Sequence, residues 1–161
     1  MVGIVTETTR NFLIEPATWR DLRSLEKLEK ICFGADAWPM LELLGVLVFP
    51  GVVRLRAAVD GEMVGFIAGD PRRDERTGWI MTLGVLPDWR RMGIAEALLS
   101  ECEQKMGMPK VKLTVRRGNE PAIALYQKLG YAQTDIWSRY YQNGEDGLVL
   151  EKKSALLLSN G

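Results

Sequence analysis

Alternation and helical spacing of the apolar positions divide this chain into a regular succession of strands and helices. Phe12 and Ile14 alternate in a short strand that Glu15 and Pro16 end. Thr18 and Asp21 have the spacing of a capping box, and Leu22, Leu25, Leu28, Ile31 and Cys32 then mark one helical face. From Asp36 to Val48 the chain is apolar with Trp38 and Pro39 near its start, which fits either a second short helix or an irregular lid before Pro50 and Gly51. Val52 to Val59 and Met63 to Ala68 read as strands joined by Asp60-Gly61, a dipeptide suited to a tight type I′ hairpin.

A polar loop from Asp70 to Thr77 precedes the apolar run Ile80, Met81, Leu83, Val85 and Leu86, a buried strand that Pro87 stops because it has no N–H to give. Ala97, Leu98, Leu99 and Cys102 follow at helical spacing, so the turn between Arg90 and Ala95 lies at a helix N-terminus. Val111 to Val115 is a further buried strand. Asn119 caps the next helix, Pro121 sits in its first turn and Gly130 ends it. Tyr131 to Tyr141 and Leu148 to Lys152 pair as terminal strands across Asn143-Gly144. The succession predicts an α/β-type single domain, a mixed sheet flanked by helices.

The chain has 161 residues, 47% hydrophobic and 26% charged, which suits one soluble domain with a real core. Lys and Arg together number 21, matching 21 Asp and Glu, so net charge gives no footprint for nucleic acid or membrane, and neither is expected as a partner. Two cysteines, Cys32 and Cys102, are too few for a disulfide scaffold and fit a reducing cytoplasm. Residues 1–10 lack the basic start and apolar core of a signal peptide and read as a leader, with the domain over residues 11–153 and a tail over 154–161. Histidine is absent, which removes imidazole as base, nucleophile or ligand, and no metal is expected.

The turn carries the first chemistry. Unpaired N–H groups and the positive dipole end of a helix favour an anion, Gly93 and Ala95 let a pyrophosphate approach the main chain, and Arg90 and Arg91 can add charge-assisted hydrogen bonds. An isolated R-x-x-G-x-A would equally be a solvated basic turn. The buried strand before it and a second motif, Asn119 to Tyr131 (NEPAIALYQKLGY), decide for the anion site.

With both motifs in place, the chain resembles the GNAT-superfamily N-acetyltransferases over about Phe12 to Lys153, and within them the protein N-terminal acetyltransferases, including the ribosomal-protein-alanine type. The resemblance implies a mostly antiparallel sheet of about seven strands flanked by about four helices. It implies acetyl-CoA as cosubstrate, with Leu83, Gly84 and Val85 pairing their main chain to the pantetheine arm and one N–H, that of Leu83, serving the thioester oxygen. Arg90, and Arg91, Met92, Gly93, Ile94, Ala95 and Glu96 after it, would hold the pyrophosphate. Asn119 would contact the pantetheine region, and Tyr126 would give a proton to the departing thiolate. As plain sequence features, Tyr126 also fits a core aromatic and Asn119 a simple N-cap.

The pattern breaks at the general base. Family members carry glutamate or histidine where this chain has Thr114, and some carry tyrosine where it has Trp79; neither threonine nor tryptophan takes a proton from an ammonium group. Candidate bases are Glu145, Asp146, Asp74, Glu75, or a water relay through Thr114 and Tyr140. Phe33, Trp79, Thr114, Tyr140 and Tyr141 are expected around the acceptor, with Phe33 to Trp38 forming one wall. The expected acceptor is the N-terminal α-amine of a protein or peptide; a small amine such as a polyamine, amino acid or aminoglycoside, or coenzyme A binding with weak catalysis, are the alternatives. Monomer and homodimer both remain open.

Overall fold

The computed structural model describes residues 11–154. Its strands are β1 (Leu13–Pro16), β2 (Val53–Val59), β3 (Glu62–Arg72), β4 (Thr77–Val85), β5 (Lys110–Arg116), β6 (Ala132–Trp137) and β7 (Gly147–Lys153). Its helices are α1 (Leu22–Phe33), α2 (Met40–Val48), α3 (Ile94–Met106) and α4 (Glu120–Lys128). One seven-stranded sheet, in the order β1-β2-β3-β4-β5-β7-β6, is antiparallel except where β4 meets β5. Among the described residues no helix is long and apolar enough to cross a membrane.

Strand alternation sorts the core into two layers. On one face α3 packs over Leu55, Ala57, Ile67 and Ile80 through Ile94, Leu98, Leu99, Cys102 and Met106, with α4 beside it. On the other, Leu25 and Leu28 of α1 and Leu43, Val46 and Leu47 of α2 cover Met63, Phe66 and Ala68. Two glycines let α3 lie close: a Cβ at Gly69 would stand 2.7 Å from Cys102 Sγ, and one at Gly78 2.8 Å from Met106 Cε.

Local signals in the sequence take their expected forms. Thr18 and Asp21 form the capping box, around a 3-10 turn that leads into α1. Asp60 and Gly61 both have positive φ, 50° and 80°, as a type I′ turn requires. The segment before Pro50 resolves into a 3-10 turn, Gly34–Asp36, followed by α2.

Three expectations are corrected. Asp70 to Thr77 is loop only over residues 73–76, since Asp70, Pro71 and Arg72 pair with Trp79, Gly78 and Thr77. Its polar residues belong to a hairpin end that projects past the core, and Pro71 is tolerated because β2 stops pairing with β3 at Gly69. β4 ends at Val85, so Leu86, which still donates its N–H to Val64, lies one residue past the strand. Tyr140 and Tyr141 lie in the connection between β6 and β7 rather than in a strand, because the Arg139 N–H donates to Asp146 and the Tyr141 N–H to the Glu145 carbonyl, closing a loop.

Candidate active site

β4 and β5 pair through only three positions, Thr77 with Lys110, Gly78 with Val111 and Trp79 with Lys112. Beyond them the strands part, β5 staying in register with β7 and β4 with β3. The parting coincides with an irregularity: Ala68 faces Thr82 but Gly69 faces Ile80, so Met81 is the extra residue of a bulge. Bulges bend a strand and re-aim its side chains. The β5-facing edge from residue 80 to 85 thus offers main-chain groups without a β5 partner, and an extended ligand can add to it as a strand.

The end of that edge runs into the turn. Leu86 N–H donates to Val64, a 3-10 turn spans Pro87–Trp89, and Arg91 and Gly93 take left-handed φ values of 62° and 80° before α3 starts. No side chain caps α3, and a Cβ on Gly93 would meet nothing within 4 Å, so its first-turn amides face an open cradle suited to an anion. Buried Ile94 anchors the turn while Arg91, Met92 and Glu96 are exposed and Ala95 is half-buried. Arg90 folds back, its Nε donating to the Val85 carbonyl at 3.0 Å, an oxygen that Cys32 Sγ also approaches at 3.5 Å. Gly84 admits α1, since a Cβ there would lie 3.1 Å from Leu28 and 3.4 Å from Phe33; this sets Phe33 beside Gly84.

α4 forms the second side of the cleft. Asn119 caps it through Oδ1, which accepts from the Ala122 N–H at 3.3 Å, and is exposed. Tyr126, half-buried, packs edge-on against Tyr131 with centroids 5.9 Å apart. Burial pushes its hydroxyl up to about 12, and nearby Tyr141 acts the same way, so the proton stays on at neutral pH.

The face opposite α3 gathers the residues expected around an acceptor. Alternation along β5 buries Val111, Leu113 and Val115 towards α3 and turns Lys112, Thr114 and Arg116 to this face. Trp79 stacks on Trp137 at 5.8 Å, Trp137 lies 5.2 Å from Tyr140, and Tyr140 meets Tyr141 at 5.0 Å, a continuous aromatic wall. Thr114 and Tyr140 converge over Gly147, where a Cβ would stand 2.9 Å from one and 3.1 Å from the other. Arg116 joins this wall to the turn after α1: its Nε donates to Asp36 at 2.6 Å, Nη1 to Glu145 at 2.7 Å, and its guanidinium lies 4.2 Å from the Tyr141 ring centroid.

These ion pairs bear on the base. Glu145 is held below the usual carboxylate range by the Arg116 hydrogen bond first and the Gly118 amide second. Asp146 is lowered by the Arg139 amide and then by Arg117. Such carboxylates resist protonation. Asp74 lies in the connection at the far end of β4, where the adjacent Glu75 pairs with Arg72.

One acid behaves oppositely, and the spacing rule passed over it. The buried face of α1 is Leu25, Leu28 and Glu29, whereas Ile31 is 49% exposed. Glu29 stands four residues after Leu25 and three before Cys32, a position on the apolar stripe that its charge disguised. It is 1% exposed, and its Oε1 accepts from Thr82 Oγ1 at 2.8 Å. Oε2 has no hydrogen-bond partner, and neither does Trp79 Nε1.

Residues 19–131 match the family described as "Acetyltransferase (GNAT) family". An N-alpha-acetyltransferase of Sulfurisphaera tokodaii is 36% identical over 110 residues, 58% of this chain but only 65% of that protein, less than two thirds of its length. Another, of Saccharolobus solfataricus, is 28% identical over 159 residues, covering 89% of this chain and 93% of that one. In fold, the chain is similar to the ribosomal-protein-S18-alanine N-acetyltransferase of Escherichia coli, with a TM-score of 0.80 at 23% identity over 89% of this chain and 94% of that one.

Proposed function

Since the chain belongs to the acetyltransferase (GNAT) family, we propose that it moves an acetyl group from acetyl-CoA to the N-terminal α-amine of a protein or peptide. The observation that carries this reading is the parting of β4 from β5 after Trp79, directly upstream of the uncapped start of α3. An extended arm fits the free edge and a diphosphate fits the turn. Acetyl-CoA supplies the thioester, an acyl group already activated towards amines.

The residues divide the work. Main-chain groups of Leu83, Gly84 and Val85 align the pantetheine arm, and the Leu83 N–H stabilises charge on the thioester oxygen. Amides from Arg91 to Glu96 hold the pyrophosphate, with Arg91 exposed to add charge. Asn119 keeps its side-chain NH2 for the arm, and the Tyr126 hydroxyl protonates the departing sulfur. Phe33, Trp79, Thr114, Tyr140 and Tyr141 enclose the acceptor.

An α-amine has a reference pKa near 7.7 to 8.0 and lysine near 10.4, so deprotonation at pH 7 costs about 1 kcal/mol for the first and nearly 5 kcal/mol for the second. A cleft whose rim acids are tied to arginines suits the cheaper proton. Relatives named N-alpha-acetyltransferase support the same acceptor. The test is thiol release from acetyl-CoA with N-terminal peptides, lysine peptides and small amines. Turnover is expected with N-terminal peptides; turnover confined to small amines, or none despite cofactor binding, would overturn the reading.

A further inference from the structure

We propose that Glu29 is the proton acceptor of this reaction, reached through the Thr82 hydroxyl; the inference rests on the amine-acetylating reading above. The chain places this carboxyl deliberately. Alternation along β4 would turn Thr82 to the α3 face, but the bulge at Met81 resets it to the face of α1, where its Oγ1 donates to Glu29 at 2.8 Å. Thr82 is partly exposed and Glu29 is 1% exposed, so the hydroxyl is the outer member of the pair. Thr82 also directly precedes Leu83, the residue whose N–H is assigned to the thioester oxygen in the reading above.

The electrostatics distinguish Glu29 from the rim acids. A buried carboxyl with one oxygen unpartnered is costly to ionise. Burial raises its pKa above the ordinary 4.5, opposed by the Thr82 hydrogen bond and then by the Trp38 main-chain amide. The groups facing it are Thr82 from β4, the Trp38 amide from the chain before α2 and Cys32 from its own helix, with Arg90 beyond Cys32. Among the described residues no cation is paired with it directly. A carboxylate so placed holds a proton more readily than Glu145, lowered first by Arg116, or Asp146, lowered first by the Arg139 main-chain amide.

The step balances. As the amine nitrogen bonds to the acetyl carbon and the carbon–sulfur bond breaks, a nitrogen proton passes to Thr82 Oγ1 and the Thr82 proton passes to Glu29 Oε1. The Tyr126 proton goes to the sulfur. Exchange with solvent then returns Glu29 and Tyr126 to their starting states.

The test uses the full chain with acetyl-CoA and a reactive N-terminal peptide. Glu29→Gln keeps an oxygen to accept from Thr82, so a merely structural role survives the change. Expected are a fall in kcat of about 100-fold, an unchanged KM for acetyl-CoA, loss of the acidic limb of the pH–rate profile, and thermal stability equal to or above wild type at pH 8. Thr82→Val should match it, Thr82→Ser should retain most activity, and the double variant should be no worse than either single one. Should E29Q not fold, the two Thr82 variants decide. An active wild type whose E29Q or T82V keeps the same kcat and pH profile overturns the relay; a wild type inactive towards every α-amine overturns the proposed function and the relay with it.

Discussion

The two sides of the cleft are made of different material. The side proposed for the cofactor is main chain: a strand edge that lost its partner after Trp79, a left-handed glycine, and a helix start that no side chain caps. The side proposed for the acceptor is side chain: an aromatic wall from Trp79 to Tyr141 and an arginine that ties the turn after α1 to the β6–β7 connection. Main-chain sites recognise what every acyl-CoA shares. Side-chain sites decide which amine is served, and they can change while the first stays fixed.

The largest effect is expected where the two sides meet, at Tyr126, which packs in α4 and is electrostatically close to Tyr141. Tyr126→Phe keeps the ring and its edge contact with Tyr131 but removes the acid, so kcat should fall by about 100-fold to 10,000-fold. Binding of acetyl-CoA should barely change. Steady-state kinetics beside a titration with coenzyme A separate the two quantities, and an unchanged kcat would remove the tyrosine from the chemistry.

A main-chain site should break by backbone strain. Gly93→Val forces a β-branched residue to φ 80° and puts methyl groups in the space beside the α3 start. Strain of a few kcal/mol at that residue corresponds to about 100-fold weaker coenzyme A binding. The acceptor wall lies on the other sheet face, so folding and peptide contacts should persist. Retained affinity, read by calorimetry, would show that the turn does not hold the diphosphate.

The same division explains what the sequence made legible. Pro87, Gly93 and the Asp60-Gly61 pair act through their own backbone, so each is readable where it stands, and the elements around them fall as expected. The acceptor side depends on where separate segments meet. Tyr140 and Tyr141 look like strand residues until Asp146 and Glu145 close the loop around them. Arg116 and Asp36 are 80 residues apart, and nothing in either neighbourhood announces the pair. Glu29 was hidden for a further reason: helical periodicity counts apolar positions, and a carboxyl on the apolar stripe is read as a gap in it rather than as a buried group.

Cutting the arginine tie sharpens the comparison from the acceptor side. Arg116→Ala frees Asp36 and Glu145 together and uncovers the Tyr141 ring. The turn after α1 and the β6–β7 connection then lose their shared anchor, and the peptide KM should rise about tenfold, the order that a lost charged contact removes. Affinity for acetyl-CoA should stay as it was, since the partners of Arg116 are Asp36, Asn143, Glu145 and Tyr141, away from the α3 turn. A rise in both constants would mean that the two sides are mechanically one.

The smallest effect expected is on stability in acid, and it isolates the same tie without any substrate. Glu145 and Asp146 have folded pKa values below their ordinary 4.5 and 3.8, so their partners stabilise the fold fully above those values and lose that contribution as pH falls through the lowered ones. Both carboxylates are partly exposed, which keeps the contribution small and sensitive to salt. Wild type should therefore melt a few degrees above Arg116→Ala near neutral pH, and the gap should close as the pH is taken below 4.5 and Glu145 gains its proton. Asp146, paired with Arg117 and the Arg139 amide, is untouched by the substitution and should cost both proteins equally. A gap that persists unchanged in acid would mean that Arg116 supports the wall by packing on Tyr141 rather than by charge.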